Sequence, residues 1–332
     1  MFNNRLTGNI NYYVNRTEDL LITKVLAPSA GLANPILNVG VIRNNGFELE
    51  LNWSDKVNKL LYNVGVNLST LKNEVVSLSD ENQILYGEGL RFGTEHFPTQ
   101  TRVGKPIGSF YLYKTDGLFQ SIDEVNAYVN DKGELLQPDA KPGDIRFVDT
   151  DNNGIINEDD KVYCGSGMPK FEANINLSLE YANFDMSAVI SSSIGRKIYN
   201  GNRYLYEGMN TVSNFLKSTL DAWTPQNTDT DIPRAVYQDP NSNTRESDRF
   251  LENGNFLRLR QLQIGYTLPK QLMNKIKVDK LRFYVSCDNL FTITNYSGID
   301  PEFSRSSVLD NGIDKLIYPF TKSYTVGVQL TF

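Results

Sequence analysis

The chain has 332 residues, enough for two ordinary domains or one large β domain. Its 39 acidic and 33 basic side chains leave a net charge of −6, with no basic surplus to neutralise phosphates, so nucleic acid is excluded as the expected partner. One histidine, His96, and two cysteines, Cys164 and Cys287, exclude a multi-imidazole metal centre and a disulfide framework. No apolar run reaches the roughly 18 residues of a transmembrane helix. The first residues have no charged start, apolar core or cleavage site, so no signal peptide is expected at Met1.

Taken in chain order, the dominant signal is alternation with period two. The stretch RLTGNINYYV near the start reads as a strand, with NRTE as a turn into the next. In FELELNW, Phe47, Leu49, Leu51 and Trp53 share one face, and Glu48, Glu50 and Asn52 the other. At this spacing Glu48 and Glu50 belong to a wet strand face, not to the two facing acids of a glycosidase. SDKVNK is a short link to YNVGVNLS, where Tyr62, Val64, Val66 and Leu68 alternate with polar residues.

The segment DTDNNGIINEDD follows the strand-like GDIRFV and places Asp149, Asp151 and Asn153 at positions one, three and five of a calcium-type loop. Gly154 stands where the chain turns sharply, Ile155 offers its carbonyl at position seven, and Asp160 replaces the usual glutamate at twelve. An EF-hand needs flanking helices, and KVYCGSGMP on the far side is not one. Asp, Asn and Gly also form solvated turns without metal, so calcium and a self-bonded loop both remain open.

FEANINLSLEY alternates for eleven residues from Phe171 to Tyr181, then turns through Ala182–Asn183 into FDMSAVI. Short helices are expected in SNFLKSTLDAW and PKQLMNKIK. Between Leu259 and Leu262 the alternation changes phase, which predicts a β-bulge near Gln261. LRFYVSCDNLF and YTVGVQLTF complete a count of about eleven strands. Strands of nine to eleven residues match a tilted membrane span and exceed the usual five or six. Long polar segments at roughly residues 72–95, 119–169, 194–253 and 294–321 alternate with short turns, the rhythm of an outer-membrane barrel. Aromatics near the short turns (Trp53, Tyr181, Phe184, Tyr266) agree with it. A secreted, calcium-stabilised β-sandwich serving binding or adhesion would alternate too and is the competing architecture.

The segments NNGFELELNW, GKPIGSFYLYKTDGLFQ, GDIRFVDTDNNGIINEDDK, WTPQNTDTDIPRA, FLRLRQLQIGYTLPK and YVSCDNLFTITNYSGIDPE occur in the order of one family. With them the chain resembles the C-terminal part of the SusC/RagA-type TonB-linked outer-membrane receptors, almost end to end. The resemblance implies an all-β, up-and-down antiparallel half-barrel over residues 1–332, open as a fragment, from a barrel of about 22 strands. Plug domain, signal peptide and TonB-contacting part are expected to be absent. It further implies a non-enzymatic role in importing oligosaccharides, or in some relatives peptides, through the outer membrane, with a SusD-like lipoprotein as lid and the TonB complex as energy source. The fragment alone is not expected to transport. Loop aromatics such as Tyr204, Tyr206 and Trp223 are candidates for sugar contacts, but for each of them packing of the loop is the first reading, and Trp223 lies in a family motif that can simply pack a loop. Phe332, on the apolar face with Tyr324, Val326, Val328 and Leu330, resembles the terminal signal read by the barrel-assembly machinery.

Overall fold

The computed structural model describes all residues except 1–3, 24–34, 39, 79–82, 88, 93, 211, 213, 277 and 304–306. Eight long strands form a continuous antiparallel meander: β1 (Leu6–Thr17), β2 (Val41–Val57), β3 (Leu60–Thr70), β4 (Phe171–Tyr181), β5 (Phe184–Ile194), β6 (Phe256–Thr267), β7 (Lys280–Thr294) and β8 (Ser323–Thr331). Each pairs with its neighbours in chain order, and β1 and β8 are the two sheet edges.

The eleven expected strands therefore become eight in the meander and a ninth, Lys72–Ser77, that pairs with the Val41–Asn45 end of β2 in the same sheet. The short strands between residues 96 and 118, and GDIRFV, pair elsewhere. Ser109–Leu112 lies in a four-stranded sheet with Thr99–Thr101, Leu85–Tyr86 and Val162–Ser166, and Thr115–Leu118 pairs with Ile145–Phe147. At two to five residues these pieces are too short to span a membrane. NRTE is likewise no turn, because Arg16 and Thr17 continue β1 in register with Arg43 and Ile42. The expected bulge is present: β6 opposes β5 and β7 with register shifts on either side of Arg260.

At one end the connections are short. Residues 58–59 and 182–183 are two-residue turns whose Asn58 and Ala182 hold positive φ, and residues 268–279 carry a helix, Lys270–Ile276. At the other end residues 18–40, 71–170, 195–255 and 295–322 form long connections with their own short strands and helical turns. All four apolar clusters among the described residues lie in these connections, and Ile42 is the one meander residue they include.

The sheet's own apolar face is uncovered. Ile10, Tyr12 and Val14 on β1, Phe283 and Val285 on β7, and Tyr324, Val326 and Val328 on β8 are all exposed, Val326 at 80 %. A β-sandwich would bury such a face under a second sheet, and among the described residues no sheet covers it. Toward the short-turn end this face carries Trp53, Tyr62, Tyr181, Phe184, Tyr266 and Phe283, with Trp53 Nε1 donating to Tyr62 at 3.2 Å and the Phe184 and Tyr266 rings 4.7 Å apart. An apolar band edged by aromatics is the surface a barrel presents to lipid. No helix among the described residues is long and apolar enough to cross a membrane.

Candidate functional site

The opposite face of the same strands is polar, because successive side chains alternate sides. Register places Asn9, Glu50, Asn67 and Asn174 in one row across β1 to β4, and Asn11, Glu48, Ser69 and Glu172 in the next. On the far strands Asp185 accepts from Arg282 Nε at 2.9 Å. Glycines here make room for large neighbours. A Cβ on Gly327 would come within 2.3 Å of the Tyr284 ring, and one on Gly46 within 2.6 Å of the Tyr13 hydroxyl. Two cavities open on this face. One of about 240 Å³ is lined by Asn9, Asn11, Glu48, Glu50, Asn67 and Asn174. The other, of about 760 Å³, lies where the strands meet the long connections, around Tyr13, Asn44, Glu48, Leu71, Met168 and Val308.

In the loop from Asp149 to Asp160, the carboxylate oxygens of Asp149, Asp151 and Asp160 all lie within 4.8 Å of one another. Strand Ile145–Phe147 precedes the loop and a single 3₁₀ turn, Glu158–Asp160, closes it, so the flanking helices of an EF-hand are indeed missing. The backbone N–H of Asn153 donates to Asp149 and Asp151, and that of Gly154, at φ 88°, donates to Asp149 at 2.8 Å. Asn153 Oδ1 accepts from the Ile155 N–H at 3.0 Å. Asp160 is fully buried and accepts from the N–H groups of Thr150 and Asn157. Among the described residues none of the three carboxylates makes an ion pair, although the Arg245 charge reaches Asp160.

The loop aromatics divide. Tyr204 is buried against Tyr199 and Phe250, and Trp223 packs with Tyr113 and Phe147 while its Nε1 donates to Gln120 at 2.9 Å. Both rings are buried, in keeping with packing, the first reading for them, and as sugar-contact candidates Tyr204 and Trp223 are set aside. Tyr206 alone lines an open cavity, of about 1100 Å³, with Arg203, Glu252, Asn295 and Ile299 among its walls. Phe332 is 84 % exposed at the end of β8. Cys164 and Cys287 are both free.

Two ionic clamps were not legible in the sequence, since their partners lie far apart along the chain. Glu246, nearly buried, accepts from Lys161 Nζ at 2.5 Å and sits 2.6 Å from His96 Nδ1, which makes His96 a clamp residue and not a free loop side chain. Burial alone would raise the Glu246 carboxyl, but the His96 hydrogen bond and the Lys161 charge outweigh it and hold it at about 2. On the inner face Arg258 donates to Asp300 at 2.5 Å and meets Glu302 at 3.0 Å, while Arg260 also engages Glu302.

Comparison with known proteins agrees with this geometry. The sequence matches the family described as TonB dependent receptor-like, beta-barrel over residues 1–290. It is 32 % identical to TonB-dependent receptor P3 of Formosa agariphila over the whole chain, which spans 33 % of that protein. It is 26 % identical to TonB-dependent receptor SusC of Bacteroides thetaiotaomicron over 99 % of the chain and 30 % of that protein. The structure of the RagAB peptide importer in its closed-closed state superposes with a TM-score of 0.76 at 25 % identity, covering 100 % of this chain and 34 % of that one. The chain thus spans about a third of the length of the curated relatives it matches. An uncovered apolar band, a polar inner face and this match together make the chain a member of the TonB-dependent receptor β-barrel family, whose barrels stand in the outer membrane of Gram-negative bacteria.

Proposed function

We propose that this chain forms one wall and the outer loops of an energised outer-membrane importer of oligomeric nutrients, oligosaccharide or peptide, that works with a SusD-like lipoprotein. The observation that carries the reading is the two-faced meander, with an exposed apolar face on one side and rows of Asn, Ser and Glu on the other. A wall of that kind lets lipid and a hydrated path share one layer of strands. The similarity to SusC and to the RagAB importer supports the lipoprotein partner and the dependence on TonB. The TonB contact belongs, in this reading, to receptor regions other than these strands. Deleting the gene and following uptake of labelled oligosaccharides and peptides tests it. Uptake of at least one cargo should cease, and dissipating the proton gradient should have the same effect; unchanged uptake of all of them contradicts it.

Two finer assignments belong to the same reading. The Asp149–Asp160 loop binds calcium, supported by three converging carboxylates that make no ion pair among the described residues. A divalent cation would offset their repulsion and fix the loop, with Asn153 and the Ile155 carbonyl completing an oxygen shell. Phe332 serves as the terminal assembly signal, supported by its exposed place on the apolar face beyond Val328 and Leu330.

A further inference from the structure

We infer that the outward face of the sheet carries a binding site for the phosphorylated headgroup of an outer-leaflet lipid, formed by Arg16, Arg43 and Lys72 at the loop end of the apolar band. This goes beyond the importer reading and rests only on the apolar face meeting lipid. Register defines the site. Arg16 of β1 stands directly opposite Arg43 of β2, and Arg43 opposite Glu74 of the strand Lys72–Ser77. One row nearer the short turns, Asn45 lies between Val14 and Lys72, and the row after that pairs Tyr12 with Phe47. Because successive side chains alternate sides, the three cations share the face of Tyr12, Val14 and Phe47 and point away from Glu48 and the inner cavities.

Like charges directly opposed across a strand pair repel, so the two arginines call for an anion. Glu18 meets Arg16 Nε at 2.8 Å, and Glu74 meets Arg43 at 2.9 Å and Lys72 Nζ at 3.6 Å. Three cations against two carboxylates leave positive charge in excess here, in a chain whose net charge is −6. Each ion pair occupies one nitrogen of its guanidinium, and the rest of each fork fits phosphate oxygens. Depth agrees. From Leu6, opposite Trp53 in the aromatic edge, to Arg16, β1 runs roughly 34 Å at about 3.4 Å per residue. At a tilt of about 40° that is roughly 26 Å along the membrane normal, close to the ~25 Å height of a barrel's apolar band. The arginine row thus falls where acyl chains end and headgroups begin, on the side of the long connections. A phosphate there answers the opposed guanidiniums while its acyl chains lie on the exposed Tyr12, Val14 and Phe47. A free anion gains nothing from those apolar side chains, and a neutral headgroup gains nothing from the arginines.

The test follows lipid binding to the intact receptor in detergent by native mass spectrometry, with phosphorylated lipid A, enzymatically dephosphorylated lipid A and inorganic phosphate as probes. Phosphorylated lipid A should bind, and removing its phosphate should weaken it about tenfold or more, the usual worth of a charged hydrogen bond. Arg16→Gln with Arg43→Gln should weaken it as much, and the two changes combined should add little, because they remove one interaction. Heat-resistant barrel mobility on gels should be unaltered in that variant, since it removes a repelling pair. Lys59→Gln, which removes an exposed cation at the short-turn end, should leave binding unchanged. Inorganic phosphate at equal concentration should not displace the lipid. Equal binding of the two lipid forms by the unsubstituted receptor, undiminished binding by the folded arginine variant, an equal loss in Lys59→Gln, or displacement by inorganic phosphate each overturns the site. Nitroxide labels at positions 12 and 14 separate the two readings: oxygen access there without phosphate selectivity overturns the lipid site alone, and its absence overturns the lipid-facing sheet as well.

Discussion

Arg258 and Asp300, 42 residues apart in sequence, are joined by a 2.5 Å hydrogen bond that ties the inner face of β6 to the connection before β8. The Arg258 guanidinium is almost fully buried, and Asp300 accepts in addition from the backbone N–H groups of Glu302 and Phe320. Removing the carboxylate strands a buried charge. Asp300→Ala should therefore cost about 3 kcal/mol, the low end of a broken buried pair because Glu302 stays beside Arg258. Chemical denaturation of the refolded receptor reads this directly, and a loss below about 1 kcal/mol would show that the pair does not hold the connection.

The Glu246 clamp gives a pH signature. Its carboxyl lies at about 2 in the fold against an ordinary 4.5, so its contribution is fully present above 4.5 and disappears as pH falls through about 2. Protease resistance of the long connections should decline across that window. Glu246→Gln, which leaves buried Lys161 with only Glu158, should lower resistance at neutral pH and flatten the acid decline. An unchanged profile would remove Glu246 as the titrating group.

Calcium makes a separable prediction. Asp149→Ala with Asp151→Ala should abolish calcium-dependent protection of residues 119–169 from proteases and leave heat-resistant barrel mobility on gels unaltered. If a chelator does not change the digestion pattern of the unsubstituted protein, the loop holds itself through its own Asx hydrogen bonds.

The two strand faces should tolerate charge unequally. Leu177 and Asn176 are adjacent on β4 and point to opposite sides. Leu177→Arg places a charge at the lipid face, at roughly 2–4 kcal/mol near the midplane, whereas Asn176→Arg meets the wet interior. Outer-membrane assembly of the receptor should fail for the first and proceed for the second.

The meander was legible in the sequence because period two is a local property: Phe47 to Trp53, Phe171 to Tyr181 and the phase change near Gln261 each declare themselves within a few residues. That residues 71–170 are mostly loop was legible, but the pairing of Lys72–Ser77 with β2 and the small sheets built by residues 85–118 were not. Ser109–Leu112 is a short, fully buried strand, and its pairing with Val162–Ser166 places it in the loops. The convergence of Asp149, Asp151 and Asp160 could be read from spacing alone. The fate of Tyr204 and Trp223 could not, since burial depends on Phe250 and Phe147, residues distant in sequence. The clamps on Glu246 and Asp300 escaped for the same reason.

The most direct test of the central claim measures which face of β4 meets lipid. Nitroxide labels at single cysteines from residue 172 to 180, with Cys164 and Cys287 replaced by serine, would be read by electron paramagnetic resonance in outer-membrane vesicles. Access to oxygen, which concentrates in the bilayer, should peak at 173, 175, 177 and 179, and access to a water-soluble nickel chelate at 172, 174, 176, 178 and 180. A profile without this alternation, or with the nickel chelate reaching 175 and 177 as readily as 174 and 176, would contradict a membrane-spanning wall.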